Sequence, residues 1–416
     1  MAIILLLFII LVLLLSIPSI QTHLGKKVTK RLNDDFGTNI NIGKIGLQFN
    51  GDVELKEILI RDYKKDTLFA AKELNTSILS FKNILNSKLV FGDIDLDGLV
   101  FNLKTYEGEI DTNLDIFVAK FDEDNPSPES SGFLLSSSDV TIYDGIFRLI
   151  NENNETPKIL EFTNIQANTT NLLIHGSDVS TRINTLAFHD SRGLEVKNLI
   201  SNFTYTPSNI LLEDLSIKTA NSSLEGEVKF FYDREELKYF TDKVQVDATF
   251  TKSDVALNEL NTFYNEFGVN QRAKLSAKLS GTLNNLQVSN LELFTSTRSK
   301  IVGDINFKNL FNKEENNFYM KGDFSQLTSN YRDLRALLPN VLGESIPTAF
   351  DKLGNFNVVG VTEITTSTIM ANVVINTQIG LIDANLDMQK INDIDNASYS
   401  GNVVFKDFNI GKFINY

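Results

Sequence analysis

Val244-Gln-Val-Asp-Ala-Thr-Phe250 and Ala273-Lys-Leu-Ser-Ala-Lys-Leu279 alternate apolar and polar residues without interruption. Successive side chains of an extended chain point to opposite faces, so these runs describe strands with one apolar and one wet face. The pattern extends outward in both directions. Ile45, Leu47, Val53 and Leu55 alternate around Asn50-Gly51, a two-residue hairpin signal. Val140 and Ile142 lead through Asp144-Gly145 to Phe147 and Leu149 in the same way and read as a second hairpin.

Helical signals are few. Leu24, Val28, Leu32 and Phe36 recur every four residues and Gly37 closes the run, which predicts an amphipathic helix with a glycine C-cap. Short helices are also expected over Asn113 to Lys120, over Ser253 to Phe267 with Ser253 as N-cap, and over Leu327 to Leu338 ahead of Pro339. Asp122 to Gly132, rich in Ser and holding Pro126 and Pro128, reads as a loop between a β region at 22–121 and a repetitive β region at 133–416. Within the latter, Leu215-Ser-Ile-Lys-Thr-Ala-Asn-Ser-Ser-Leu-Glu-Gly226-Glu-Val-Lys-Phe230 resembles Leu291-Glu-Leu-Phe-Thr-Ser-Thr-Arg-Ser-Lys-Ile-Val-Gly303-Asp-Ile-Asn-Phe307, which predicts a sheet grown by repeating a module.

Ala2 to Leu15 contains no polar residue, and the apolar character continues through Ser16, Pro18 and Ser19 to Ile20. As a helix this stretch would span about 28 Å, one bilayer core. No small-x-small cleavage site follows it, so an uncleaved single-pass anchor at residues 1–21 is expected. Lys26, Lys27, Lys30 and Arg31 come next and are candidate contacts for anionic headgroups. The positive-inside rule taken alone would put the bulk of the chain in the cytoplasm, but long domains cross membranes largely regardless of charge.

The remaining composition mostly excludes. A net charge of −14 disfavours nucleic acid, whose phosphates need clustered Lys and Arg. There is no cysteine, hence no thiol nucleophile or thiolate metal site, and His23, His175 and His189 are far apart in sequence. Asp93, Asp95, Asp97 and Gly98 match the opening of a calcium loop, but Lys104 stands where a bidentate Glu is required, and Ile94 and Leu96 alternate as in a strand. His189-Asp190-Ser191 names three residue types of a hydrolase triad, yet adjacency in sequence is not triad geometry, and no Gly-x-Ser-x-Gly elbow occurs. No catalytic residue, metal ligand or cofactor is expected, and the chain reads as a non-enzyme.

A sheet with one apolar face must bury it, and few helices are on offer. Three solutions stand open: a sandwich of two sheets, a β-helix, or a curved sheet whose apolar face is filled by something other than protein. Val244, Val246, Phe250, Leu275, Leu279, Leu291, Leu293, Ile305 and Phe307 are the candidate lining of that face.

Three stretches carry a family likeness: Thr29-Lys-Arg-Leu-Asn-Asp-Asp-Phe-Gly-Thr-Asn-Ile-Asn-Ile-Gly-Lys-Ile-Gly-Leu47, Val53-Glu-Leu-Lys-Glu-Ile-Leu-Ile-Arg-Asp62 and Gly401-Asn-Val-Val-Phe-Lys-Asp-Phe-Asn-Ile-Gly-Lys-Phe413. They resemble the amino-terminal region of TamB proteins, of the wider AsmA-like family of Gram-negative bacteria. The resemblance implies a mainly β fold, with an N-terminal transmembrane helix followed by a long curved, repeat-built antiparallel groove, or β-taco, and a few short helices. It also implies an inner-membrane anchor with the bulk in the periplasm, phospholipid as cargo, and an outer-membrane β-barrel partner of the Omp85 type. Two functions follow as expectations: carriage of phospholipid along the groove toward the outer membrane, or, alternatively, a scaffold or chaperone that pairs strand edges with outer-membrane β-barrel chains. The family's carboxy-terminal domain does not follow Tyr416, so the chain is expected to be a fragment.

Overall fold

The computed structural model describes residues 18–47, 52–78, 88–120, 134–153, 158–262, 267–310, 317–337, 339, 348–391 and 393–414. Among them the fold is mainly β, with twenty strands of a large sheet and short helical elements between them. The chain divides into two compact units, residues 1–212 and 213–416.

The first unit opens with helix α1 (Pro18–Phe36), whose predicted C-cap Gly37 takes a φ of +62°. An antiparallel meander follows, β1 (Asn39–Leu47), β2 (Asp52–Arg61) and β3 (Thr67–Ile78). The Asn50-Gly51 turn lies outside the described residues, but Leu47 pairs with Val53 on either side of it. β4 (Lys88–Asp97) and β5 (Val100–Thr105) both pair with β3, one after the other along its length, separated by Gly98 at φ +61°. Both then pair in parallel with β6 (Leu134–Asn151). Helix α2 (Asn113–Ala119), where sequence predicts one, is capped by Thr112 in a reciprocal capping box with Asp115. β7 (Lys158–His175), β8 (Asp178–Asp190) and β9 (Glu195–Thr206) continue the antiparallel order.

Two departures from expectation share a cause. Asp144-Gly145 does not close a hairpin: β6 runs straight through it, and its irregular register there marks a bulge with Asp144 at φ +54°. The same Asp-Gly preference for positive φ serves a bulge as well as a turn. That bulge faces the break at Gly98, with Gly98 N donating to Tyr143 O at 3.0 Å and Ile146 N to Leu99 O at 2.7 Å. Parallel pairing in turn requires a long crossover, and the stretch from Tyr106 to the start of β6, including the Pro/Ser-rich loop at 122–132, is that crossover. The loop itself lies outside the described residues.

β10 (Asn209–Thr219) spans the divide between the units. The second unit is a run of sequential antiparallel hairpins: β11 (Ser223–Phe231), β12 (Gln245–Ala256), β13 (Arg272–Thr282), β14 (Asn285–Thr295), β15 (Lys300–Lys308), β16 (Tyr319–Asn330), β17 (Asn355–Thr365), β18 (Thr368–Thr377), β19 (Gly380–Gln389) and β20 (Ser398–Lys406). Helix α3 (Phe240–Lys243) precedes β12, α4 (Leu257–Leu260) follows β12, α5 (Tyr331–Leu337) follows β16, and α6 (Ile410–Ile414) follows β20. Among the described residues a helix therefore follows every fourth strand, after β12, β16 and β20, and the two sequence repeats fall on β10–β11 and on β14–β15, four strands apart.

The helices expected at Ser253 and Leu327 start later than predicted. Ser253 lies inside β12, and α4 begins at Leu257 with Ala256 as N-cap. Leu327 lies inside β16, and α5 begins at Tyr331. In both places an apolar strand face supplies the spacing that reads as a helix. No helix among the described residues is long and apolar enough to cross a membrane, and the Ala2 to Leu15 stretch lies outside them.

Candidate functional site: the apolar sheet face of the second unit

Strand register brings the predicted lining residues together on one face. Val246 faces Gly281, Phe250 faces Ala277, Leu275 faces Leu293 and Leu279 faces Val288. Val288 then faces Ile305, Leu291 faces Gly303, and Leu286 faces Phe307. Val244 precedes β12 at the same alternation and is fully buried. The face continues through strands not singled out from sequence, by way of Phe324 on β16, Val358 on β17, Val373 and Ile375 on β18, Ile382 on β19 and Val403 on β20. The alternation that betrayed β12 and β13 is present there too, diluted by Gly, Thr and Asn.

A row of irregularities crosses this face near mid-strand. Register shifts occur at Glu225/Gly226, Phe250/Ser253, Ser276/Lys278, Val288/Leu291, Val302/Gly303 and Phe324/Leu327. Bulges bend a strand and raise its local twist, so bulges aligned across neighbouring strands put a crease in the sheet. Gly360 continues the row at φ +128°, and a side chain there would place its Cβ 2.2 Å from Asn372 O. Large residues stand over the glycines: Phe250 opposite Gly226, and Phe324 opposite both Gly303 and Gly360.

Burial along the face is uneven. Val246, Ala248, Ala273 and Ala277 are buried, and Leu291 is 8% exposed. Phe250, Leu275, Leu279, Leu293, Ile305 and Phe307 are only half-buried. One end of the strands is capped. Leu257 of α4 and Leu337 of α5 pack with Val255 and Ala273, while Leu353, from the 3-10 turn Thr348–Leu353, packs with Phe356 and Ile379. The caps are joined to one another: Gly268 N donates to Leu337 O at 3.0 Å, Arg332 pairs with Asp351 at 3.4 Å, and Lys352 Nζ donates to Phe413 O at 2.8 Å.

One carboxylate of α4 ties it to the turn that follows β10. Glu259 accepts from Thr219 Oγ1 at 2.6 Å, from Asn221 N at 2.9 Å and Nδ2 at 3.1 Å, and from Ser222 Oγ. Burial pushes its carboxyl up, but these donors outweigh that and hold it below its usual value. A depressed folded-state pKa stabilises at neutral pH, and the contribution is lost as pH falls from the unfolded value toward and through the folded one. Glu259→Gln is therefore expected to cost about 1 kcal/mol at pH 7, with the gap to wild type closing as the pH is lowered below about 4.5. Urea midpoints across that range would measure it.

The other motifs take their bland readings. Asp93, Asp95 and Asp97 line the exposed side of β4 while Ile94 and Leu96 are buried on the other. His189 is exposed beside Asn164 and Glu195, whereas the Asp190 carboxylate bonds to Arg192, so the three adjacent residues form no relay. No group of three or more His, Cys, Asp or Glu among the described residues could hold a metal ion. Lys26, Lys27, Lys30 and Arg31 are exposed on α1, Lys30 pairing with Asp34 at 2.6 Å.

No protein-family model and no curated protein matches this chain. The functional reading therefore rests on the sheet face itself.

Proposed function

We propose that this protein is a non-enzymatic lipid carrier: the apolar face of the second unit holds the acyl chains of phospholipid, as part of a route from the inner toward the outer membrane. In this reading the Ala2 to Ile20 stretch is the inner-membrane anchor and the described strands lie in the periplasm. The observation that carries it is the half-buried band of Leu275, Leu293, Ile305 and Phe307 on a mainly aliphatic and aromatic face that the register carries from β12 to β20. Apolar area gains about 25 cal/mol per Å² on leaving water, whether a side chain or an acyl chain covers it. Acyl chains ask for no fixed hydrogen bonds, which fits a face that offers many aliphatic side chains and no cluster of converging polar groups.

Native mass spectrometry of the full chain, extracted in mild detergent, tests the proposal. Several phospholipids per chain are expected on the wild type, falling by about half or more with Leu293→Asp and Phe307→Asp together. A folded, monodisperse wild-type chain that carries no lipid would overturn it and favour the scaffold reading.

A further inference from the structure

Polar groups fix helix α1 to the sheet. Thr22 Oγ1 accepts from Ile45 N at 3.3 Å and donates to Ile45 O at 3.5 Å. Asn33 holds Ile40 in the same way, its Nδ2 donating to Ile40 O and its Oδ1 accepting from Ile40 N, both at 2.8 Å. Between them Gly25 lets the helix approach, since a Cβ there would lie 2.0 Å from Ile45 Cδ1. Lys120, just past α2, donates its Nζ to Gly37 O at 2.6 Å and ties down the far end. The face turned to β1 therefore carries Gln21, Thr22, Gly25, Thr29 and Asn33, with Gln21 and Thr29 buried.

This docking decides what faces outward. At about 100° per residue, Lys26, Lys27, Lys30 and Arg31 centre about 140° around the helix from that stripe, and all four are exposed. α1 carries four basic and two acidic residues in a chain of net charge −14, so its outward face is a local reversal of sign. Lys30 pairs with Asp34 at 2.6 Å, which offsets one of the four charges.

The position of this face sets the kind of partner. Ile20 ends the apolar stretch, and along a helix Lys26 stands about 9 Å and Arg31 about 16 Å beyond it. The polar zone of a bilayer is roughly 5–8 Å deep on each side, and electrostatic screening in physiological salt adds a reach of about 8–10 Å. With Ala2 to Ile20 as the anchor, a reading this inference shares with the proposed function, the basic face lies within range of headgroup phosphates.

We propose that α1 is a docking surface for anionic phospholipid, with Lys26, Lys27 and Arg31 gathering headgroups of net negative charge around the anchor. Each basic residue near a membrane surface raises the local affinity for anionic lipid about five-fold, and a zwitterionic headgroup offers no net charge to attract. The bonds to Ile40, Ile45 and Gly37 keep these side chains on one side of the helix, so the surface is fixed in orientation.

The chain has no cysteine, so His23→Cys, at an exposed position outside the proposed contacts, carries a single donor dye. The full chain is reconstituted in phosphatidylcholine vesicles holding a minority of phosphatidylglycerol, with a trace of acceptor dye on the acyl chain of one lipid or the other. Energy transfer to the phosphatidylglycerol acceptor is expected to exceed that to the phosphatidylcholine acceptor about two-fold or more, and the excess to vanish at about 1 M salt, where the screening length falls to about 3 Å. Replacing Lys26, Lys27, Lys30 and Arg31 with Gln should abolish it at low salt too, while Thr22 and Asn33 keep α1 in place, as slow exchange of the Ile40 amide would show. Should that variant not fold, the salt series on the chain with its charges intact decides alone. Equal transfer to both acceptors overturns the proposal and leaves the anchor standing; no transfer to either overturns the anchor and the proposal with it. An excess that Leu293→Asp with Phe307→Asp removes would assign the anionic lipid to the sheet face of the second unit, and would equally overturn the proposal.

Discussion

Gly360→Val is expected to destabilise the second unit by about 3 kcal/mol or more, combining a strained backbone with a side chain driven into the neighbouring strand. The φ of +128° is one that β-branched residues do not adopt, and the added Cβ would meet Asn372 O at 2.2 Å and the Val373 Cα at 2.9 Å. Both contacts are backbone, so relief means moving β18 rather than rotating a side chain. Hydrogen exchange localises the effect better than a global melt, because repeat-built sheets lose stability by neighbourhood. Amides of β16, β17 and β18 should lose protection together, those of the first unit should not, and protection retained across β16 to β18 would count against the crease.

Val246→Asp and Phe307→Asp share a face but are expected to fail differently. Val246 is 6% exposed and covered by protein, so an unpaired carboxylate there should cost about 3–5 kcal/mol and unfold the neighbourhood of β11 to β13. Phe307 is half-buried, so the same charge keeps part of its hydration and should cost about 1–2 kcal/mol, while in the proposed reading it displaces the acyl chain that covers the ring. Denaturation midpoints paired with lipid counts on both variants separate the two. Equal loss of stability at both sites would mean that the face is closed upon itself.

The alternation of β12 and β13 made the apolar face legible from sequence, because a wet face and a dry face leave a period of two. Phe324 and Val373 belong to the same face but were hidden by the glycines around them, which read as weak strand formers and are in fact the crease. Ser253 and Leu327 misled for a related reason: an apolar strand that runs into a short helix offers both periods, and only the register of β12 and β16 decides where one ends. Asp144-Gly145 fits a turn and a bulge equally well, and the difference lies in pairing with β4 and β5, far away in sequence. The bonds between α1 and β1 were out of reach, since Leu24, Val28, Leu32 and Phe36 dominate the pattern of α1, while Thr22 and Asn33 acquire partners in Ile45 and Ile40 only once β1 lies beside them.

The return of a helix after β12, β16 and β20 has a consequence for length. Neighbouring strands lie about 4.8 Å apart, so the ten strands from β11 to β20 measure about 43 Å across, and each four-strand module contributes about 19 Å. Because every module pairs only with the one before and the one after, inserting or deleting one would lengthen or shorten the span in fixed steps while leaving its cross-section unchanged. The chain is in this sense a ruler graduated in hairpins, whose reach is set by counting.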